Sequence, residues 1–113
     1  MKIVKKEERQ SFKNGEACIA YEYAMGDEDI NGAIVEISGR YPEKGRTVNT
    51  KCKELGYVIK GEGKVVVEDK EIALKEGDLV LIEPNEKFYW EGVMTVFVPC
   101  APAWNHEQYK EVD

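Results

Sequence analysis

Apolar and polar residues alternate along this chain in short runs, and glycine or other turn residues recur every 8–12 residues. This rhythm is typical of a β-sandwich or β-barrel. β-Branched and aromatic residues dominate the runs, which suits half-buried strands, and no run predicts a helix of three turns. An edge strand could begin at Ile3-Val4. The other predicted strands are 17–23, 33–37, 55–59, 64–68, 72–74, 79–82, 88–90 and 93–98.

The turns between these strands are predicted from glycine and proline. Gly61-Glu62-Gly63 would form a tight turn after strand 55–59, and Glu91-Gly92 would separate strands 88–90 and 93–98. The run 79–82 is apolar on both faces, which predicts a fully buried strand. Segment 102–113 loses the alternation, so we expect it to form one helical turn or to lie along the outside.

The 113 residues predict one domain with one core. The net charge of −6 and the pI of 4.9 argue against a nucleic-acid partner. No apolar run approaches the roughly 20 residues of a membrane-spanning helix, and the start lacks an apolar stretch long enough for a signal peptide. We therefore expect a cytoplasmic protein with no membrane partner. Cys18, Cys52 and Cys100 are few, odd in number and widely spaced, which predicts reduced thiols and excludes a zinc knuckle.

Two glycine-centred patterns lie between Gly39 and Gly92. Glu54 precedes Gly61 with six residues between them, and Gly77-Asp78 opens an apolar strand that ends at Pro84. Together these patterns resemble the two signature motifs of the cupin superfamily, at the spacing of small single-domain members. The resemblance implies an all-β fold, a cupin-like antiparallel jelly-roll β-barrel. It would form one domain over residues 1–113, with core motifs at about 39–92 and a C-terminal tail at about 102–113.

The resemblance also implies four metal ligands, of which this sequence keeps only Glu54. The family's three histidine positions fall on other residues here: Val48 and Thr50, or Thr47 and Asn49, depending on the spacer, and Phe88. Iron, nickel, copper and zinc sites of this kind depend on imidazole nitrogen. We therefore predict no tightly bound metal and no cofactor.

Glu54 is the candidate catalytic residue. A carboxyl group inside the barrel would be poorly solvated and its pKa would rise, as in general acids and bases. Thr50 and Cys52 share the strand parity of Glu54, so all three could line one wall of a pocket while Lys51 and Lys53 point outward. The predicted ligand-binding residues are Tyr41, Asn49, Thr50, Cys52, Glu54, Phe88 and Trp90.

The leading interpretation is a protein that binds a small organic molecule in the barrel without a tightly bound metal. One alternative is a metal-independent isomerase, epimerase or lyase that uses Glu54, with Tyr41, Glu83 or His106 as a second group. In that case the tail would fold over a barrel mouth and supply His106. Another alternative is an irregular metal site, built from Asn49, Cys52, Glu54 and His106. A second copy of the chain is the expected protein partner, in a homodimer formed through Ile3-Val4 and the tail.

Overall fold

The computed structural model describes residues 1–113 and is built almost entirely from antiparallel strands, which confirms the all-β prediction. Two single-turn 3-10 helices, Lys6–Glu8 and His106–Gln108, are its only helical elements, and neither has the length or apolar character to span a bilayer. The nine strands are β1 Gln10–Gly15, β2 Cys18–Tyr23, β3 Asn31–Tyr41, β4 Arg46–Asn49, β5 Lys53–Val67, β6 Lys70–Lys75, β7 Leu79–Ile82, β8 Lys87–Ala101 and β9 Tyr109–Val112.

The strands form one strongly curled sheet with the order β1-β2-β3-β8-β4-β9. Strand β5 pairs with β8 along nearly its whole length, and β6 and β7 pair with the opposite edge of β5. The long strands β5 and β8 thereby join the two parts of the jelly roll. The curled sheet leaves an interior between its walls, which contains the hydrophobic core and a cavity.

Two predicted turns are wrong, because β5 and β8 run continuously through Gly61, Gly63 and Gly92. These glycines allow the backbones of β5 and β8 to approach each other closely, because they have no Cβ atom. A Cβ atom added at Gly63 would collide with the Glu91 carbonyl oxygen, and one added at Gly92 would collide with the Gly63 Cα atom. Gly92 also has a φ of 142°, which side chains rarely adopt. The predicted strands 55–59 and 64–68 are therefore one strand, as are 88–90 and 93–98.

The core follows the alternation of β8, in which Phe88, Trp90, Met94 and Val96 point inward and are buried. On β5 the register shifts between Val58 and Lys60, so that inward positions change parity across this bulge. Even-numbered residues of β5 are buried before the shift, and the strand ends in the buried run 65–67. Because of the bulge, β5 turns buried side chains toward the interior on both sides of the register shift.

Strand β7 is buried on one face only, which corrects the prediction for run 79–82. Leu79 and Leu81 are 63% and 48% exposed, whereas Ile82 is buried. Their neighbours across the ladder are Tyr57 and Leu55, and Phe97 pairs with Tyr57 from the other side. We call this set, with Ile59, the outer apolar face: Leu55, Tyr57, Ile59, Leu79, Leu81 and Phe97, all at least 37% exposed.

The N-terminal segment differs from the prediction, because Ile3 and Val4 lie outside any strand and the first strand is β1, which pairs with β2. The tail forms one helical turn at His106–Gln108, which is one of its two predicted forms. It then enters the sheet, which was not predicted, because β9 pairs with β4 from Arg46↔Val112 to Asn49↔Tyr109. The tail residues are therefore part of the barrel itself.

Candidate functional site

The interior of the barrel contains a cavity of about 330 Å³. Its walls come from β2, β3 and β8, with single contributions from β1, β4 and β5 and a cover from the tail. Most of the side chains that line it are apolar or aromatic. This volume lies at the lower end of the range for small-molecule sites in proteins.

Glu54 lies in the wall of this cavity near the start of β5, where strand alternation turns it inward. Its side chain is only 7% exposed. One carboxyl oxygen, Oε1, accepts a hydrogen bond of 3.0 Å from Asn49 Nδ2, while Oε2 has no partner within the chain. Burial raises the pKa of Glu54 to about 7, and the Asn49 hydrogen bond only partly opposes this rise. The carboxyl group is thus able to gain or lose a proton near neutral pH.

Asn49 is oriented toward Glu54 by two donors from the tail. Its Oδ1 accepts from Trp104 Nε1 at 3.1 Å and from Gln108 Nε2 at 3.0 Å. With the oxygen satisfied in this way, the amide NH2 group must face Glu54. Asn49 is therefore a positioning residue, and its orientation depends on residues more than 50 positions later in the sequence.

Gln108 anchors the tail in the barrel wall and is itself buried. Its Oε1 accepts from the backbone N–H groups of Lys51 and Cys52, and its carbonyl oxygen accepts from both the N–H and the hydroxyl group of Thr50. A second attachment joins Asn31 and Trp104 by two reciprocal hydrogen bonds, at 2.9 and 3.1 Å. These contacts hold the Trp104 side chain over the cavity.

Aromatic rings form much of the cavity wall. Phe88 and Trp90 meet edge to face, with ring centroids 6.3 Å apart. The Trp90 ring packs so closely over Gly56 that a Cβ atom there would lie 2.8 Å from it. Tyr41 is the cross-strand partner of Trp90 on the neighbouring strand β3. Its hydroxyl group shares a 2.9 Å hydrogen bond with that of Tyr109, and burial raises the pKa of both phenols. These two hydroxyl groups are therefore protonated at neutral pH.

A second carboxyl group, Glu22 on β2, also lies in the cavity wall. Burial raises its pKa, and the electrostatic influence of His106 opposes that rise. His106 is exposed, lines the same cavity and packs against Trp104 with ring centroids 4.8 Å apart. The tail therefore brings His106 to the cavity, a position that the isomerase, epimerase or lyase interpretation requires.

Two of the thiols near Glu54, those of Cys18 and Cys100, have raised pKa values and remain protonated, whereas the hydrogen bond with Cys100 lowers the pKa of Cys52. Burial raises the pKa of Cys18 to about 12. A hydrogen bond with Cys52, together with burial, raises the pKa of Cys100. Cys52 itself is fully buried and its Sγ lies 3.4 Å from Gln108 Oε1. Because the thiolate is the reactive form, a pKa raised in this way leaves Cys18 and Cys100 as wall residues rather than nucleophiles.

Four of the predicted ligand-binding residues line the cavity: Tyr41, Glu54, Phe88 and Trp90. The other three do not. Thr50 and Cys52 are bound by Gln108 instead, and Asn49 lies behind Glu54. Thr50, Lys51 and Cys52 lie between β4 and β5 rather than on the strand of Glu54, so the predicted shared strand is wrong for them. Lys51 and Lys53 are both exposed, and only Lys53 owes its outward direction to strand alternation. Glu83 is not a partner of Glu54. Its side chain is partly exposed at the surface and forms an ion pair with Lys53, in which Oε1 of Glu83 lies 3.6 Å from Nζ of Lys53.

Sequence reasoning missed Glu22, Trp104 and Tyr109. A signal for Glu22 exists, since it continues the parity of Cys18 and Ala20 on β2 and is thus a polar residue on the inward face. No local signal marks Trp104 or Tyr109, whose partners lie on β3 and β4, far away in the sequence.

The residues around Glu54 do not fit a transition-metal site. The oxygen of Asn49 is already occupied by two N–H donors, and its NH2 group, which cannot bind a cation, faces Glu54. The side chain of Phe88 offers no donor atom. No group of three or more histidine, cysteine, aspartate or glutamate side chains is arranged to hold a metal ion, and the irregular set of Asn49, Cys52, Glu54 and His106 is not brought together.

Comparison with known proteins identifies the family. A family model described as a cupin domain matches residues 35–95, and no curated protein matches the chain. Among solved structures, Streptomyces Pac13 with uridine superimposes with a TM-score of 0.87 at 21% identity, covering 96% of this chain and 88% of that chain. A second structure of Pac13, which is described as a nucleoside dehydratase, superimposes with the same TM-score and identity.

Ectoine synthase from P. lautus has a TM-score of 0.74 at 15% identity, covering 100% of this chain and 91% of that chain. At these identities the solved structures establish the fold alone. The family match spans more than half of the sequence, from β3 into β8, and includes both glycine-centred patterns and Glu54. The chain belongs to the cupin domain family.

Proposed function

We propose that this protein binds a small organic molecule in its barrel cavity, with Glu54 as the polar anchor. The observation that carries the proposal is the Glu54 carboxyl group, which is buried in a largely apolar cavity with one oxygen held by Asn49 and the other free to accept a bond. An apolar cavity with a few fixed polar groups is the general form of a small-molecule site.

The test is binding of a metabolite panel to the wild type and to Glu54→Gln. Nucleosides, beginning with uridine, form the first class to screen, because Pac13 is described with uridine. Glu54→Gln keeps the shape of the side chain and removes its charge, so it should weaken binding of a ligand whose polar group contacts the Glu54 carboxylate by about tenfold. Glu36→Gln, on the exposed side of β3, is the matched control. If every ligand found for the wild type is bound equally well by Glu54→Gln, the anchor lies elsewhere.

Metal independence is part of the same proposal. It is supported by the donor set around Glu54, in which the Asn49 oxygen is occupied and Phe88 offers no ligand atom. Purified protein should therefore hold transition metal far below one ion per chain. Elemental analysis that finds about one tightly held iron, nickel, copper or zinc ion per chain, lost in Glu54→Ala, would contradict this part of the proposal.

An acid–base enzyme is the second candidate, and the pKa of Glu54 near 7 favours it. A general acid or base works best when its pKa is close to the working pH. If Glu54 moves a proton to or from a carbon atom, a bound ligand incubated in D2O will gain deuterium, which NMR detects. Glu54→Gln should abolish that exchange, and Tyr41→Phe should reduce it less. An absence of exchange and turnover with ligands that bind tightly would leave binding as the sole function.

We also propose a homodimer, now through the outer apolar face rather than through Ile3-Val4 and the tail. The tail is paired within its own chain, whereas Leu79 and Leu81 expose apolar surface on β7, an edge strand that pairs with β5 alone. Leu79→Glu should lower the sedimentation mass from that of two chains to that of one, while Lys75→Glu, an exposed site on β6, should not. A monomeric wild type would refute this. The cytoplasmic location and the lack of a nucleic-acid partner stay predictions.

A further inference from the structure

The cavity wall is acidic and aromatic, and it contains no lysine or arginine. Among its 22 residues are two carboxyl groups, Glu22 and Glu54, and a single basic side chain, His106. Six further aromatic side chains line it: Tyr23, Tyr41, Phe88, Trp90, Trp104 and Tyr109. A site built for a phosphate or carboxylate group would instead place cationic side chains or free backbone N–H groups toward the ligand.

We propose, building on the binding function above, that the cavity selects a small organic cation: an ammonium group carried on a compact apolar body. The chemical class follows from the two kinds of side chain that the wall combines. Carboxyl groups attract the positive charge, and aromatic faces accept both the charge and the apolar body.

Glu54 lacks a countercharge. Its Oε2 atom has no hydrogen-bond donor within the chain, and no lysine or arginine side chain lies in the cavity wall. An ionised carboxyl group without a countercharge costs free energy when it is buried. A bound ammonium group would supply both the charge and the N–H donor. A neutral ligand would supply at most the donor, and an anion would add repulsion.

Glu22 is the half-buried carboxyl group of the cavity wall, and His106 lies near enough to affect its pKa. The Trp104 ring packs against both His106 and Tyr109, with centroids 4.8 and 5.3 Å apart. The indole N–H of Trp104 is used by Asn49, so the ring is held in place and the rest of it is available to a ligand. A carboxyl group beside fixed aromatic rings is a common arrangement for binding an ammonium group.

The net charge of the chain also favours the approach of a cation. The chain has a formal net charge of −6, so its field attracts cations and repels anions over distances larger than the cavity. The same field would slow the entry of an anionic ligand. Selection by charge would therefore begin before the ligand reaches Glu22.

The experiment is isothermal titration calorimetry with two sets of probes that match in shape and differ in charge. The first set is benzylamine, benzyl alcohol and benzoate, and the second is tryptamine, tryptophol and indole-3-acetate. Uridine is added as a neutral polar ligand. The amine of each set should bind at least about tenfold more tightly than its alcohol, and the carboxylate should bind most weakly.

Two variants test whether the carboxyl groups of the cavity wall cause the preference for the amine over the alcohol. Glu22→Gln and Glu54→Gln should each reduce amine affinity by about fivefold or more while changing alcohol affinity by less than about twofold. The alcohol thus reports that the cavity is still formed. Glu36→Gln, outside the cavity, should leave both affinities unchanged.

The outcomes separate the charge preference from the binding function itself. Equal binding of amine and alcohol, or tighter binding of uridine or of a carboxylate, would overturn the cation proposal and leave the binding proposal standing. An amine preference that survives in both Glu22→Gln and Glu54→Gln would overturn it as well. A failure of every probe and of the metabolite panel to bind would overturn both proposals.

Discussion

Glu54→Gln should make the protein more stable at alkaline pH, although it removes a charged residue that contacts Asn49. The reason is the direction of the pKa shift. Burial raises the pKa of Glu54 from 4.5 to about 7, so the folded state binds this proton more tightly than the unfolded state does. The stability that the proton provides is fully present below about pH 4.5 and is lost as the pH rises through about 7.

The magnitude follows from the size of the shift. One pKa unit corresponds to about 1.4 kcal/mol, so the shift from 4.5 to about 7 corresponds to about 3 kcal/mol. Between these two pH values the free energy of unfolding of the wild type should fall by about 1.4 kcal/mol per pH unit relative to Glu54→Gln. Above pH 7 the wild type should be less stable than Glu54→Gln by up to about 3 kcal/mol, because the uncharged amide carries no cost of buried charge.

The assay is urea denaturation of wild type and Glu54→Gln at a series of pH values from about 4.5 to 8.5, followed by tryptophan fluorescence. Other titrating groups, including Glu22, contribute to both proteins, so they largely cancel in the difference. Glu36→Gln, an exposed glutamate, should give a curve parallel to that of the wild type. If the difference between wild type and Glu54→Gln is constant across the whole range, Glu54 is not a desolvated carboxyl group and the reasoning is refuted.

Three further changes test how the site is built. Gly92→Ala should destabilise the protein by about 3 kcal/mol or more in urea denaturation, because the new Cβ would collide with β5 at a φ of 142°; a loss below 1 kcal/mol would contradict the close approach. Gln108→Ala should cost about 2 kcal/mol by leaving buried groups without partners, while Glu107→Ala beside it should cost almost nothing. Tyr41→Phe should cost about 1 kcal/mol by breaking the 2.9 Å bond to Tyr109, and an unchanged melting temperature would argue against that bond.

Strand positions could be predicted from the sequence because alternation is a local property. The inward direction of Glu54 and the outward direction of Lys53 follow from the period of two along β5. The same local information fails at Gly63 and Gly92. A glycine required for a turn and a glycine required by a neighbouring strand look identical in the sequence, and here the neighbour is about 30 residues away.

The candidate site could be predicted only in part, for a similar reason. Phe88, Trp90 and Glu54 lie on strands whose alternation indicates an interior, so the residues of the barrel wall were accessible to sequence reasoning. Trp104 and Gln108 lie in a segment without alternation, and their roles arise from hydrogen bonds to Asn31, Asn49 and neighbouring groups. Contacts of this kind, between residues more than 50 positions apart, leave no periodic signal.

The chemistry of Glu54 thus depends on both parts of the chain. The barrel provides the burial that raises the pKa of the carboxyl group, and the tail provides the two N–H donors that hold Asn49 in the orientation from which it binds that group. Because Oε1 is committed to Asn49, Oε2 is the acceptor that remains for a ligand. A change in the tail that spares the core can therefore alter recognition at Glu54, since the tail controls which carboxyl oxygen faces the cavity and which aromatic ring covers it.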